Sequence, residues 1–267
     1  MLKKLMKYEI KATARIFLPL IIMLFACAFI TRILRLLPQA DFSRFNIQSI
    51  AYLISMLIYI ILFAGIVAGT LIIMIQRFYK NLLGDSGYLM FTLPVKTWQH
   101  IFSKLLVAMM WTVLNMLAAV ITIFIIAADE SLITVLAKGW KPFINSFLGA
   151  DLPMNLLISV EIIVIGILCL AAAILQIYAA IALGHMFNKH KLLLSFVMYI
   201  ILNTILQVAV TIIAVILGGS LNNLPSTLSV NVVAQLIMIL IIAICALFTV
   251  GYYALTNYLL KNKLNLE

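Results

Sequence analysis

Few residues of this chain are of the types that perform chemistry. The segment Gly84–Gly87 reads Gly-Asp-Ser-Gly, the bare Gly-x-Ser-x pattern of serine intramembrane proteases, but it lies in a polar stretch where a nucleophile would not be protected at membrane depth. His185 and His190 are five residues apart, so on a helix their side chains diverge by about 140° and make a poor metal pair. The residues therefore predict no catalytic centre and no metal site, and we expect a chain that is not itself an enzyme.

Direct use of ATP needs a phosphate-binding loop of the form Gly-x-x-x-x-Gly-Lys-Ser/Thr. No glycine of this chain is followed by that pattern. The chain is thus expected to bind no cofactor of its own, and any ATP hydrolysis that drives it must occur on another polypeptide.

Glu161 is the single ionisable residue that enters a long apolar run from one end. One interpretation is an interfacial side chain that is hydrated or paired with Lys138, Lys141, Arg32 or Arg35. The other is a polar group that lines a substrate vestibule on the outer side. Intramembrane acids mark functional sites chiefly when they lie deep, and Glu161 is predicted only about 10 Å into its span.

The composition identifies the elements that must position these residues. Of 267 residues, 66% are hydrophobic and only 10% are charged, against about 45–50% and a quarter in soluble domains. A span needs about 20 apolar residues, so the chain has room for about six spans and short loops. We predict an all-α polytopic membrane protein, and Cys27, Cys169 and Cys245 are interpreted as small apolar side chains within spans.

Charge-free intervals locate the spans within a single transmembrane domain, 1–267. The longest interval, from Lys191 to Lys261, would be roughly 100 Å long as one helix and must fold back. The turn residues Gly218 to Thr227 divide it. The six predicted spans lie near 14–36, 50–75, 104–127, 155–183, 192–217 and 230–256.

Lysine and arginine predict the orientation, because cytoplasmic loops of membrane proteins carry an excess of them. With the N-terminus inside, the inner segments hold thirteen of these residues and the outer loops hold five. Both termini are therefore predicted to be cytoplasmic. The net charge of +10 is explained by this orientation, and no soluble basic surface remains for nucleic acid.

The first thirteen residues combine apolar positions at helical spacing with lysines. Leu2, Met6 and Ile10 alternate with Lys3, Lys7 and other basic residues. This pattern favours a short interfacial helix, 1–13, in the headgroup layer. A frayed basic tail that serves only orientation is the alternative.

Gly65 and Gly69 in the second span form a small-xxx-small motif, which lets helices approach closely. The motif predicts either a seam with a second subunit or close packing of this span within its own bundle.

The longest inner segment, 76–103, is unusually apolar for a loop. It interleaves aromatic and leucine residues with glycine turns and is bordered by charges such as Arg77, Lys80 and Lys96. An apolar centre with a charged rim is typical of a protein interface. An aromatic belt at headgroup level is the simpler alternative.

Within this segment, residues 84–95 (Gly-Asp-Ser-Gly-Tyr-Leu-Met-Phe-Thr-Leu-Pro-Val), followed by Ser103-Lys104-Leu105, resemble the permease subunits of bacterial ABC exporters. The resemblance is to the short six-span permeases of lantibiotic-immunity and multidrug type. The opening residues 6–15 look like the matching N-terminal segment.

The resemblance implies a permease in the bacterial cytoplasmic membrane. It would pair with a second permease, identical or paralogous, and with ABC ATPase subunits that bind ATP and magnesium. The segment 76–103 would contain a coupling helix that docks on the ATPase. The residues that the resemblance assigns to this contact are Arg77, Phe78, Leu82, Leu83, Asp85, Tyr88 and Leu89.

The substrate is left open by the sequence, and an apolar route with few charges favours a peptide, drug or other amphipathic compound. The alternative function is a membrane anchor or antimicrobial-peptide sensor that belongs to a signalling complex and transports nothing itself.

Overall fold

The computed structural model describes residues 2–37, 47–83, 96–149, 152–187, 190–221 and 230–262. Across these residues the backbone is almost entirely helical and contains no strand. A five-residue π-helical turn, Tyr79–Leu83, follows the second helix. The α-helices are α1 Leu2–Leu36, α2 Ile47–Phe78, α3 Thr97–Ala127, α4 Glu130–Phe147, α5 Leu152–Gly184, α6 Lys191–Leu221 and α7 Val230–Asn262.

Six of these helices, all except α4, are long and apolar enough to cross a membrane. The candidate spans contain between 26 and 35 residues, whereas about 20 cross the hydrocarbon core. The predicted all-α class and the six spans are confirmed.

The helices extend beyond the predicted spans. α3 begins at Thr97, seven residues before the predicted start, because helical hydrogen bonds continue past the point where charged residues leave the hydrocarbon. The residues predicted as a separate interfacial helix form the first turns of α1, which runs without a break from Leu2 to Leu36. Met6 and Ile10 there pack against the cluster around Phe17 and Trp111.

α4 is an element that the sequence analysis treated as part of an outer loop. Its apolar residues recur every three or four positions, as at Leu132, Leu136, Trp140, Phe143 and Phe147, which is an amphipathic helical pattern. This helix was not predicted because it contains no long apolar run, although its helical periodicity is visible in the sequence.

The chain divides into two compact units, each described here by itself. Unit 1 comprises Met1–Met74 and Leu106–Gly149. In it, Phe17 of α1 stacks on Trp111 of α3 at 4.8 Å between ring centroids, and Arg32, farther along α1, pairs with Asp129 beyond the end of α3. Two contacts in the same order along both helices show that α1 and α3 are parallel.

Hydrogen bonds between polar side chains join the helices of unit 1. Trp111 Nε1 donates to Thr13 Oγ1 at 2.7 Å, and Asn115 Nδ2 donates to Thr70 Oγ1 at 2.8 Å. Tyr59 and Thr122 share a hydrogen bond of 3.1 Å between their hydroxyl groups. In an apolar bundle such pairs select which faces meet, since each group would otherwise be unsatisfied in hydrocarbon.

Unit 2 comprises Ile75–Leu105 and Ala150–Glu267. In it α5 and α7 are parallel, with Glu161 beside Gln235 and Cys169 beside Cys245. α6 packs closely on α5 at Gly184, where an added Cβ would clash with the backbone and hydroxyl of Ser195. His190, directly before α6, has a φ of 56°, a left-handed conformation that is uncommon outside glycine.

Candidate functional site

Residues 76–103, called the coupling segment after the role that the resemblance implies, belong to unit 2, and the first limb of the segment packs on α5 by aromatic stacking. Phe78 lies parallel to Tyr178 of α5, with ring centroids 4.1 Å apart and planes 8° apart. One residue on, the ring of Tyr79 lies 5.3 Å from that of His185. The π-helical turn begins here, and such turns are frequent at functional sites because they redirect the side chains that follow.

The second limb is attached to α7. Thr97 Oγ1 donates to Asn257 Oδ1 at 3.2 Å, and the first turns of α3 bury His100, Ser103 and Lys104. The two limbs of the coupling segment are therefore held against the C-terminal portions of α5 and α7.

Four of the seven residues assigned to the ATPase contact lie in the described residues. Phe78 and Leu82 are completely buried within this chain, so they belong to the core that supports the rest of the segment. Arg77 is half-buried, and the backbone of Leu83 ends the π-helical turn. Asp85, Tyr88 and Leu89 lie outside the described residues.

His185 lies in the turn after α5, where its surroundings lower the pKa of its imidazole. Burial and, to a smaller extent, the positive charge of Lys191 lower the pKa of its imidazole. Its Nε2 is buried without a hydrogen-bond partner. Both effects favour the neutral form of the ring beside Tyr79.

The vestibule candidate Glu161 makes one hydrogen bond, in which Gln235 Nε2 is the donor and Glu161 Oε1 the acceptor. Glu161 Oε2 and Gln235 Oε1 are both buried without a partner. Leaving a buried polar atom unsatisfied costs about 1–3 kcal/mol, more if it is charged. Glu161 lies nine residues after Leu152, about 14 Å along α5.

The arginines considered as partners of Glu161 are engaged elsewhere. Arg32 Nη1 donates to Asp129 Oδ1 at 2.8 Å, and Arg35 donates to Asp129 Oδ2. Arg35 also donates to the carbonyl of Ile126 at 3.2 Å. The two arginines thus pair with Asp129 in unit 1, whereas Glu161 pairs with the neutral amide of Gln235 in unit 2.

Gly65 and Gly69 face open space in the part of the chain that the structure describes. A Cβ built on either glycine meets no heavy atom within 4 Å. The predicted alternative of close packing at these glycines within the same bundle is therefore not found, and this face of α2 is open to lipid or to another chain.

Two contacts had no signal in the sequence. The sulfur atoms of Cys169 and Cys245 lie 3.5 Å apart, although 76 residues separate them. Tyr178, the stacking partner of Phe78, was not distinguished from the other aromatic residues of the spans. Only the packing of α5 reveals either partner.

Comparisons of this chain with protein-family models, curated proteins and solved structures found no match. The described helices and their composition define the class, a multi-pass α-helical membrane protein.

Proposed function

We propose that this chain is the membrane-spanning permease subunit of an ATP-driven ABC exporter in a bacterial cytoplasmic membrane. It forms part of the substrate route and is driven by ATPase subunits on separate chains. The observation that carries the proposal is the coupling segment: residues 84–95, which resemble those of known permeases, lie between two limbs that are anchored on α5 and α7.

The anchoring suggests how force passes from the ATPase to the membrane helices. The ATPase binds the segment through Arg77, Asp85, Tyr88 and Leu89, on the cytoplasmic side that the distribution of lysine and arginine predicts. The buried Phe78 transmits displacement of the segment to α5 because its ring stacks on Tyr178. Directed transport then requires that the two states of the permease bind substrate with different affinity.

A second permease copy or paralogue completes the route. The open face at Gly65 and Gly69 supports a seam there, since small residues allow close approach of helices and no part of the described chain fills the space.

The coupling contact is tested by co-purification of the ATPase with a tagged chain in mild detergent. Asp85→Lys with Tyr88→Ala reverses a charge and removes an aromatic anchor, and we expect at least a tenfold lower yield of ATPase, as roughly 1.4 kcal/mol of lost binding produces. Membrane insertion should be unchanged because neither residue lies in a predicted span.

Lys138→Glu with Trp140→Ala in α4 is the matched control, a charge reversal with loss of an aromatic residue on the side predicted to be outer. It should retain the full yield of ATPase. Equal yields from the wild type and the coupling variant would remove the assigned contact, and purification of the wild type with a histidine kinase and no ATPase would favour the sensor function.

A further inference from the structure

The Glu161–Gln235 pair has acceptor atoms that its own chain does not satisfy. The amide nitrogen of Gln235 must point to the carboxylate, because a carboxylate accepts hydrogen bonds and the amide oxygen cannot donate one. The amide oxygen is then turned away from this bond. Glu161 Oε2 and Gln235 Oε1 remain as two buried acceptors with no donor.

The two helices that carry the pair, α5 and α7, have no lysine or arginine beside it that could serve these acceptors. Glu161 is the only charged residue of α5, and no charged residue occurs between Lys191 and Lys261, which covers α6 and nearly all of α7. Among the described residues the single partner of Glu161 is Gln235. Within unit 1, Arg32 and Arg35 bind Asp129.

Exposed apolar side chains share the helix faces of the pair. Leu157 precedes Glu161 by four residues, and Val232 and Ile239 flank Gln235 at three and four residues, spacings that place them on the same face. Their exposed fractions are 44%, 47% and 53%. The two buried acceptors therefore lie beneath a surface of exposed hydrocarbon side chains.

We propose that the Glu161–Gln235 pair binds the primary ammonium group of an amphipathic cation. An ammonium carries three N–H donors, which suffice for Glu161 Oε2 and Gln235 Oε1, and its charge neutralises the carboxylate. The apolar part of the ligand lies along the exposed residues of α5 and α7. If the ammonium site binds the exported substrate, which rests on the proposed export function, the substrate of the exporter is an amphipathic primary amine.

The test uses the full-length chain in nanodiscs of zwitterionic lipid, with three probes that share an octyl tail. Octylammonium has charge and donors, octyltrimethylammonium has charge without N–H donors, and octanol has no charge. Binding is followed by tryptophan fluorescence below the micellar concentrations. We expect octylammonium to bind roughly tenfold or more tighter than the other two, as charge-assisted hydrogen bonds imply.

The variant Glu161→Gln keeps the shape of the side chain, and its amide can donate to Gln235 Oε1. We expect it to fold normally and to lose the preference for octylammonium. Asp129→Asn is the matched control, because it removes a carboxylate that is already paired with arginines, and it should keep the preference.

Equal binding of the three probes, or an undiminished preference in Glu161→Gln, would overturn the assignment. So would a carboxylic acid band in the infrared spectrum at pH 7 that disappears in Glu161→Gln, because a proton would then occupy the site. The measurement needs no ATPase, so the failure of ATPase co-purification and the failure of ammonium binding are separate results.

Discussion

At the scale of single residues, His185 shows how a local contact connects protonation with stability. Its ring contacts Tyr79 at the first limb of the coupling segment, and burial with the nearby Lys191 lowers its pKa. The neutral ring is favoured in the folded protein. The contribution of His185 to stability is therefore complete above its ordinary pKa, about 6.5, and is lost as the pH falls through the lowered value.

We expect the melting temperature of the wild type to fall between pH 7.5 and pH 5, and the fall to be smaller in His185→Gln. The exposed His190 provides the control, and His190→Gln should follow the wild type. Melting in nanodiscs across this pH range makes the comparison. If all three proteins have the same pH dependence, protonation of His185 is not linked to folding.

At the scale of elements, the seam between α5 and α7 organises unit 2. Along it lie the Glu161–Gln235 pair, the two cysteines and a hydrogen bond of 3.2 Å from Thr249 Oγ1 to the carbonyl of Leu168. The Glu161–Gln235 pair precedes the other two contacts on both helices, as expected of parallel helices separated by one returning span. If the ATPase moves α5 through residues 76–103, as the proposed function requires, the movement also acts on the site proposed for the ammonium group.

The sulfur atoms of Cys169 and Cys245, 3.5 Å apart, make the seam testable by oxidation. A disulfide needs about 2.05 Å, which a small side-chain movement supplies where two helices are in contact. With copper phenanthroline, the number of thiols titrated after denaturation should fall from three to one. Cys27 should remain free because its sulfur contacts the carbonyl of Ser55 in unit 1.

Cys169→Ser is the control for this cross-link and should keep both of its remaining thiols. Retention of three thiols in the oxidised wild type, or a disulfide-linked dimer on a non-reducing gel, would contradict the packing of α5 on α7.

At the scale of the whole molecule, the predicted orientation of the six spans, with both termini inside, can be tested by labelling. In a variant without the three native cysteines, a cysteine at position 138 should react with a membrane-impermeant maleimide in intact cells. Cysteines at positions 7 and 263 should react only after the membrane is permeabilised. The physical reason is the excess of lysine and arginine in the inner segments.

Labelling at position 263 in intact cells would contradict the predicted orientation. It would also place the coupling segment, with its resemblance to permeases, on the side where no ATPase can bind it.

The number of spans was predictable from the sequence because a membrane helix satisfies its own backbone hydrogen bonds. The length of an apolar run is then enough to identify a span, and charges mark where it leaves the hydrocarbon. Residues 76–103 were also recognised as unusual from composition alone. The helix ends were less accurate, and α4 was missed, because neither depends on a long apolar run.

Only the tertiary structure decided which side chains meet. The spans are apolar on all sides, so periodicity does not distinguish a face toward lipid from a face toward another helix. Phe78 and Tyr178, Glu161 and Gln235, and the two cysteines lie from 74 to 100 residues apart and carry no mutual signal. In hydrocarbon these pairs are selected by close packing and by the need to satisfy polar atoms, which depend on the assembled helices rather than on any one of them.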